Sequence, residues 1–306
     1  MENPKVLVVY FTQSGQMQMI AQKFAAPFEA DVAIAVSYEE IKLAQPFPFP
    51  WTAFKFFNAF PDVYFEKPKA LEPFSMNVKG SYDLIVLAYQ PWFLTPSPAM
   101  SSFLQTAEAK ELLTGKKVVT LIGCRNMWLG AQEKVKKRIA TAGGQLVANI
   151  ALVDRAPNVV SLLTILRWML WGKKEASGIL PAAGVSEADM DKCSEYGAMV
   201  NNRLKSDNWT GLQESLNQNG AVEILPNLVL MEQRGQRAFG VWSKFIGGAP
   251  EGSLSRALRV YLYMTLLFTI AMLLSPILAI VSAILLWLKN DELMAEVNYF
   301  KKNELR

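Results

Sequence analysis

The sequence predicts an α/β fold built on a doubly wound parallel sheet of five strands. One observation is a set of short apolar, β-branched runs at 5–11, 31–36, 83–89, 117–123 and 145–153. They lack the in–out alternation of a half-exposed strand and read as strands buried on both faces. The other is the helix-period pattern between most of them, since strand–helix–strand alternation closes into a parallel sheet. Ligands of such sheets bind beyond the C-terminal ends of the strands. The turns 12–17, 90–95 and 124–129 are predicted to converge there.

The first element is KVLVVYFTQSGQMQMIAQKF, residues 5–24. Its apolar strand breaks into Thr12-Gln13-Ser14-Gly15-Gln16, after which Met17, Ile20, Ala21 and Phe24 share one helical face. A strand, a polar turn with one glycine and a helix start gather backbone N–H groups and the Thr12 and Ser14 hydroxyls around one point. That is an anion cradle. The spacing is neither GxGxxG nor GxxxxGK[ST], which excludes the dinucleotide fingerprint and the P-loop.

The second strand leads into an aromatic-rich insertion, 37–79, with the core PFPFPWTAFKFFNAFPDVYFEKP. Its prolines limit regular structure. Packed surface excursion, lid over a pocket, and face against an apolar phase all remain open for it. The third strand runs into QPWFLTPSPAM and a helix over 101–109. The fourth is followed by CRNMWLG and a helix over 131–142, which Gly143-Gly144 ends. Residues 159–171 form a strongly apolar helix too short to span a bilayer. It covers the sheet or lies in an interface on Trp168 and Trp171. A helix starts at Ser186-Glu187-Ala188-Asp189 and runs to about 205, whereas 209–252 receives no assignment.

Residues 260–288 are uncharged and mainly apolar, longer than the roughly 20 residues needed to cross a bilayer. They predict a hydrophobic C-terminal membrane anchor. It is a single span or a re-entrant hairpin bent at Ser275-Pro276, with Arg256, Arg259, Trp287 and Lys289 at its edges, and a buried helix of a soluble core is the alternative. The expected organisation is a sheet domain over 1–175 containing the insertion, a polar extension over 176–255, and a membrane-associated segment over 256–306.

Histidine is absent, which removes a Ser-His-Asp triad and any imidazole ligand or base. Cys124 and Cys193 give neither zinc spacing nor a disulfide framework, so no metal site is expected. A net charge of +4 without a basic cluster argues against nucleic acid as partner. The N-terminus enters a strand directly, with no secretory leader, so the sheet domain is expected to face the cytoplasm.

YFTQSGQ after the first strand and YQPWFLTPSPAMSSFLQT after the third resemble the FMN-binding loops of the flavodoxin and NAD(P)H:quinone reductase superfamily. GCRNMW after the fourth stands where that superfamily has its third flavin loop. The resemblance implies a flavodoxin-like fold. It implies that Thr12, Gln13, Ser14, Gly15, Gln16 and Met17 hold the FMN phosphate, while Pro91, Trp92, Phe93 and Leu94 face the ring. Cys124, Arg125, Asn126, Met127 and Trp128 would close its other side. More narrowly, DRAPN and ILRWMLWGKK after the fifth strand resemble proteins identified as dialkylresorcinol condensing enzymes. In these, a flavodoxin-like partner of a ketosynthase is thought to aromatise a dialkylcyclohexanedione.

These readings together give a membrane-associated, FMN-dependent oxidoreductase acting on a lipophilic cyclic substrate, with NAD(P)H as candidate reductant. Membrane lipid and a ketosynthase or redox protein are its candidate partners. A membrane-tethered flavodoxin-type electron carrier, an NAD(P)H:quinone reductase and a scaffold that lost its flavin are the alternatives. The catalytic base stays unassigned among Tyr89, Asp154, Glu133, Tyr64, Asp62 and Arg155.

Overall fold

The computed structural model describes residues 3–270, 281 and 284–305. The chain begins β1 (Lys5–Tyr10), α1 (Gln16–Glu29), β2 (Ala35–Glu40), α2 (Ala53–Tyr64) and β3 (Leu84–Tyr89). A small hairpin, β4 (Pro91–Trp92) and β5 (Thr95–Pro96), precedes α3 (Pro98–Phe103) and α4 (Ala107–Leu113). Then come β6 (Lys117–Cys124), α5 (Leu129–Thr141), β7 (Gln145–Val153) and α6 (Asn158–Trp171). The chain continues through α7 (Glu187–Ser206), α8 (Leu212–Gln218), α9 (Pro226–Gly247), α10 (Leu254–Thr269) and α11 (Asn290–Lys302).

The five-stranded sheet runs β2-β1-β3-β6-β7, and every pairing is parallel. That strand order is the flavodoxin-like doubly wound order. Alternate residues of β1 enter different cores. Val6 and Val8 join Ile20 and Phe24 of α1 and Tyr196 of α7, while Leu7 and Val9 join Phe103, Val135 and Phe300 on the other face. The crossover between β1 and β3 places the C-terminal ends of β1, β3 and β6 side by side.

Several elements differ from expectation for local physical reasons. The second strand begins at Ala35 rather than 31. The Asp31 carboxylate accepts from the Ala33 N–H at 3.1 Å, and the Asp31 carbonyl from the Ile34 N–H at 2.9 Å, which makes a turn of residues 31–34. Within the insertion, α2 is a regular helix whose first turn is capped by Thr52 Oγ1 accepting from the Lys55 N–H. The expected helix over 101–109 is two helices, separated where Thr106 caps α4. The unassigned 209–252 holds α8 and α9, and Pro226 opens α9 at its first turn, where a missing N–H costs nothing.

The C-terminal membrane anchor is corrected by the structure. Among the described residues no helix is long and apolar enough to cross a membrane. α10 carries Arg256 and Arg259, and both guanidinium groups bind protein. Arg256 donates to Asn58 Oδ1 at 2.8 Å and to the Asn58 carbonyl at 2.9 Å, and Arg259 donates to the Phe245 carbonyl at 2.6 Å. Val260 and Tyr263 are buried against Phe57, Phe60 and Ile246 of α2 and α9. The chain then returns as α11, burying Leu293, Val297 and Phe300 in the main core. Part of the apolar run, 271–280 with 282 and 283, and with it the Ser275-Pro276 bend, lies outside the described residues. The membrane-associated location and the membrane-lipid partner were inferred from that anchor and fall with it.

Candidate functional site

A cavity of about 250 Å³ opens at the C-terminal ends of β1, β3 and β6. Its floor is Thr12, Gln13, Ser14, Gln16 and Met17 after β1, Gln90, Pro91, Trp92 and Phe93 after β3, and Gly123, Cys124 and Arg125 at the end of β6. Its cover comes from the insertion, with Phe49, Trp51 and Phe56, and from α6, with Ile165, Trp168 and Met169.

The turn after β1 is built for an anion. Gly15 has φ +84°, a left-handed conformation that favours glycine, and its N–H donates to Thr12 Oγ1 at 3.0 Å. No side chain caps α1, and no acidic residue lies in its first turn. The first-turn N–H groups and the positive end of the helix are therefore left for a ligand. The glutamines of this turn serve another purpose. Gln13 donates through Nε2 to the Pro48 carbonyl at 3.3 Å and accepts from Trp51 Nε1 at 3.1 Å. Gln16 donates to the Val185 carbonyl at 3.1 Å and accepts from the Val185 N–H at 3.2 Å. The same turn that offers N–H groups thus fastens the aromatic strap on one side and the 184–185 segment on the other. Asp154 holds that segment from below, accepting from the Gly184 N–H at 3.2 Å, and the Trp51 N–H ties the strap to α6 at the Met169 carbonyl, 2.8 Å away.

The hairpin after β3 turns at Phe93 and Leu94 with φ of 50° and 63°. A two-residue turn with positive φ at both positions normally takes Asn-Gly, and bulky residues there cost about 1–3 kcal/mol each. Packing holds them. The Phe93 ring lies 4.6 Å from Phe56 and 4.9 Å from Phe60, and Leu94 is buried. Thr95 Oγ1 closes the turn on the Trp92 carbonyl at 2.8 Å. Trp92 meets Trp51 edge-on at 5.7 Å. The insertion therefore folds over the hairpin, which makes a lid of it.

In the third loop, burial first and then the Glu232 charge push the Cys124 thiol up, so it stays protonated. The Arg125 guanidinium is fixed on Asn158, donating to its carbonyl at 3.1 Å and its Oδ1 at 3.0 Å. Asn126 donates to the same Oδ1 at 2.8 Å. Gly15, Leu94, Asn126, Met127 and Trp128 do not line the cavity. Trp128 is instead buried beside Phe300 of α11.

None of the residues considered as a base lines the cavity. Tyr89 donates to Gln132 Oε1 at 2.7 Å, and burial pushes its phenol well up. Asp154 is used by the Ala156 and Gly184 N–H groups. Glu133 pairs with Lys136 and accepts from Tyr299, and Tyr64 donates to the Gln236 carbonyl. Asp62 pairs with Lys67 and Lys69, and Arg155 with Asp189 and Glu223. Sequence reasoning gave no site role to Trp51, Phe56, Ile165, Trp168 and Met169, all of which line the cavity, while Gln90 entered only as part of the turn 90–95. The aromatic composition of the insertion was the signal for Trp51 and Phe56.

No family model and no curated protein matches the chain. Nothing in these comparisons supports the narrower resemblance to dialkylresorcinol condensing enzymes or the aromatisation implied by it. Among solved structures, the chain is similar to a flavoprotein in complex with FMN from Lactobacillus acidophilus NCFM, at 15% identity and a TM-score of 0.39, over 48% of this chain and 92% of that one. It is also similar to a flavodoxin from the domain Archaea, at 13% identity and a TM-score of 0.38, over 66% of this chain and 99% of that one. Likenesses this slight carry no argument, and the fold rests on the strand order.

Proposed function

We propose that this protein is an FMN-dependent oxidoreductase that works in the cavity at the ends of β1, β3 and β6. The observation that carries the reading is the continuity of that cavity with the uncapped start of α1. A planar ring carrying a phosphate on a flexible arm fits this pairing of an apolar, aromatic chamber with an anion seat. FMN, when bound, would supply the two-electron redox chemistry.

The chain's own residues would do the rest. Ser14, Gln16 and Met17 would hold the phosphate through main-chain N–H groups, with the Thr12 hydroxyl fixing the turn. Trp51, Trp92 and Trp168 would wall the ring from water. Arg125, the cation among the described lining residues, would favour negative charge on the ring or on a bound acceptor. Besides Arg125, Cys124 is the ionisable group among them, and it is held as a thiol. A side-chain base for abstracting a C–H proton is thus missing from the described lining. This favours reduction of a quinone-like acceptor, which takes its protons from water, with NAD(P)H as the donor.

Tryptophans at the cavity provide the readout. Titration with FMN should quench tryptophan fluorescence, and riboflavin, lacking the phosphate, should bind at least tenfold more weakly. Absence of FMN binding would sink the proposal. Flavin binding without oxidation of NAD(P)H in the presence of quinones would leave a flavin carrier and remove the enzyme.

A further inference from the structure

We infer that the outward face of α10 is the contact surface for a second copy of this chain. The inference is independent of the flavin. Val260 and Tyr263 bury one side of α10 against α2 and α9. Leu254, Leu258, Leu262 and Leu266 stand on the other side, the first two 76% and 61% exposed. A helix that is apolar all round is one with both faces covered, and nothing among the described residues covers this one. Tyr261 and Phe268 extend the face beside the leucines, and Val241 and Phe245 extend it onto α9. The exposed parts of these side chains present about 800 Å², more than a monomer usually leaves in one patch and as much as one partner gives to a standard interface.

The shape of the patch selects a second copy. The four leucines recur at every fourth residue, so they form one ridge along the helix. Ser255 and Arg259 belong to the next ridge, and a groove lies between the two, lined by Leu254, Ser255, Leu258, Arg259 and Leu262 with Phe245 of α9 beside them. A ridge and a groove side by side on one surface fit each other across a two-fold axis. With the helices crossing at about −50°, the ridge of each copy enters the groove of the other. A two-fold contact also brings side chains near the axis toward their own copies, so it tolerates free charge there poorly. Here the condition is met. The charged residues between Leu254 and Ile270 are Arg256 and Arg259. Arg256 is buried on Asn58. The Arg259 guanidinium donates to the Phe245 carbonyl and lies 4.9 Å from the centre of the Phe245 ring.

Sedimentation equilibrium of the full chain tests the inference. The wild-type protein should be a dimer at about 10 µM, since interfaces of this size have dissociation constants in the micromolar range or below. Leu258→Glu places two carboxylates at the contact and should weaken dimerisation about a hundredfold or more, while circular dichroism stays unchanged. Leu254→Glu, at the more exposed end of the ridge, takes its place if that variant does not fold. A wild-type protein that stays monomeric at about 100 µM overturns the inference, and cosedimentation of that monomer with phosphatidylcholine vesicles would give the face to lipid instead. Dimers that persist undiminished in a folded variant overturn it too, because the contact then lies elsewhere. Open-ended assembly would do the same, since a two-fold contact closes at two copies.

Discussion

Glu232 is the residue whose chemistry is most out of register with its type. It sits on α9 with its side chain buried, and it accepts from the Gly130 N–H at 2.6 Å and the Leu129 N–H at 3.2 Å at the start of α5. Burial pushes its carboxyl up to about 7, against the pull of those N–H groups. Between the ordinary value of 4.5 and about 7, the folded chain keeps a proton that the unfolded chain releases. Stability therefore falls as pH rises through that window, by about 3 kcal/mol in all. Below it both states are protonated, and above it both are ionised with the full burial cost in place. The chain has no histidine to mask the effect. Burial also pushes up Asp62 and Glu66, but in these two the basic partners outweigh it and hold them low, so they titrate beneath the window. Urea midpoints measured from pH 5 to pH 8 should decline for the wild-type protein and stay nearly level for Glu232→Gln. Parallel decline in both would assign the titration elsewhere.

Among the elements, α2 shows how far sequence reading reaches. The edge strand β2, AVSYEE, is half exposed and shares only residues 35 and 36 with the run read for it. The strands β1, β3, β6 and β7 were legible because burial leaves a nearly continuous apolar run, a signal contained in a few adjacent residues. The turn at 12–17 was legible for the same reason. The helix α2 was not, because proline content argues against regular structure. Here the prolines at 46, 48 and 50 precede the helix, and Pro61 sits inside it without ending it. Its partners lie far along the chain. Phe60 is fully buried, stacks on Tyr263 of α10 at 5.2 Å and meets Phe239 of α9 edge-on at 5.0 Å. Truncation there should cost about 3–5 kcal/mol, because the ring joins three helices and its cavity cannot easily collapse. Phe60→Ala should also release Phe93 from its positive φ and loosen the hairpin at the site. Chemical denaturation gives the first effect, and faster hydrogen exchange at residues 91–96 the second. A loss below about 1 kcal/mol would mean that α2 is a loosely attached lid.

For the whole molecule, the described start of the apolar run, 260–270, shows what hydropathy leaves out, since it counts residues and ignores their partners. Arg256 bound to Asn58 and Tyr263 packed on Phe60 make α10 part of the protein's own aromatic core. The same long-range closure governs the candidate site. Its parts come from β1, β3, β6, the insertion and α6, and the turn–strap and strap–α6 hydrogen bonds link three of them. A ligand seated there touches most of the sheet edge, so its binding energy should appear as stability of the whole fold. At FMN one hundred times above its dissociation constant, linkage adds about 2.7 kcal/mol. For a chain of this size that raises Tm by about 4 °C. The shift should grow with the logarithm of FMN concentration and shrink for riboflavin, which leaves the α1 N-terminus empty. Equal shifts for FMN and riboflavin would place the ring in the cavity but deny the phosphate its seat at the start of α1.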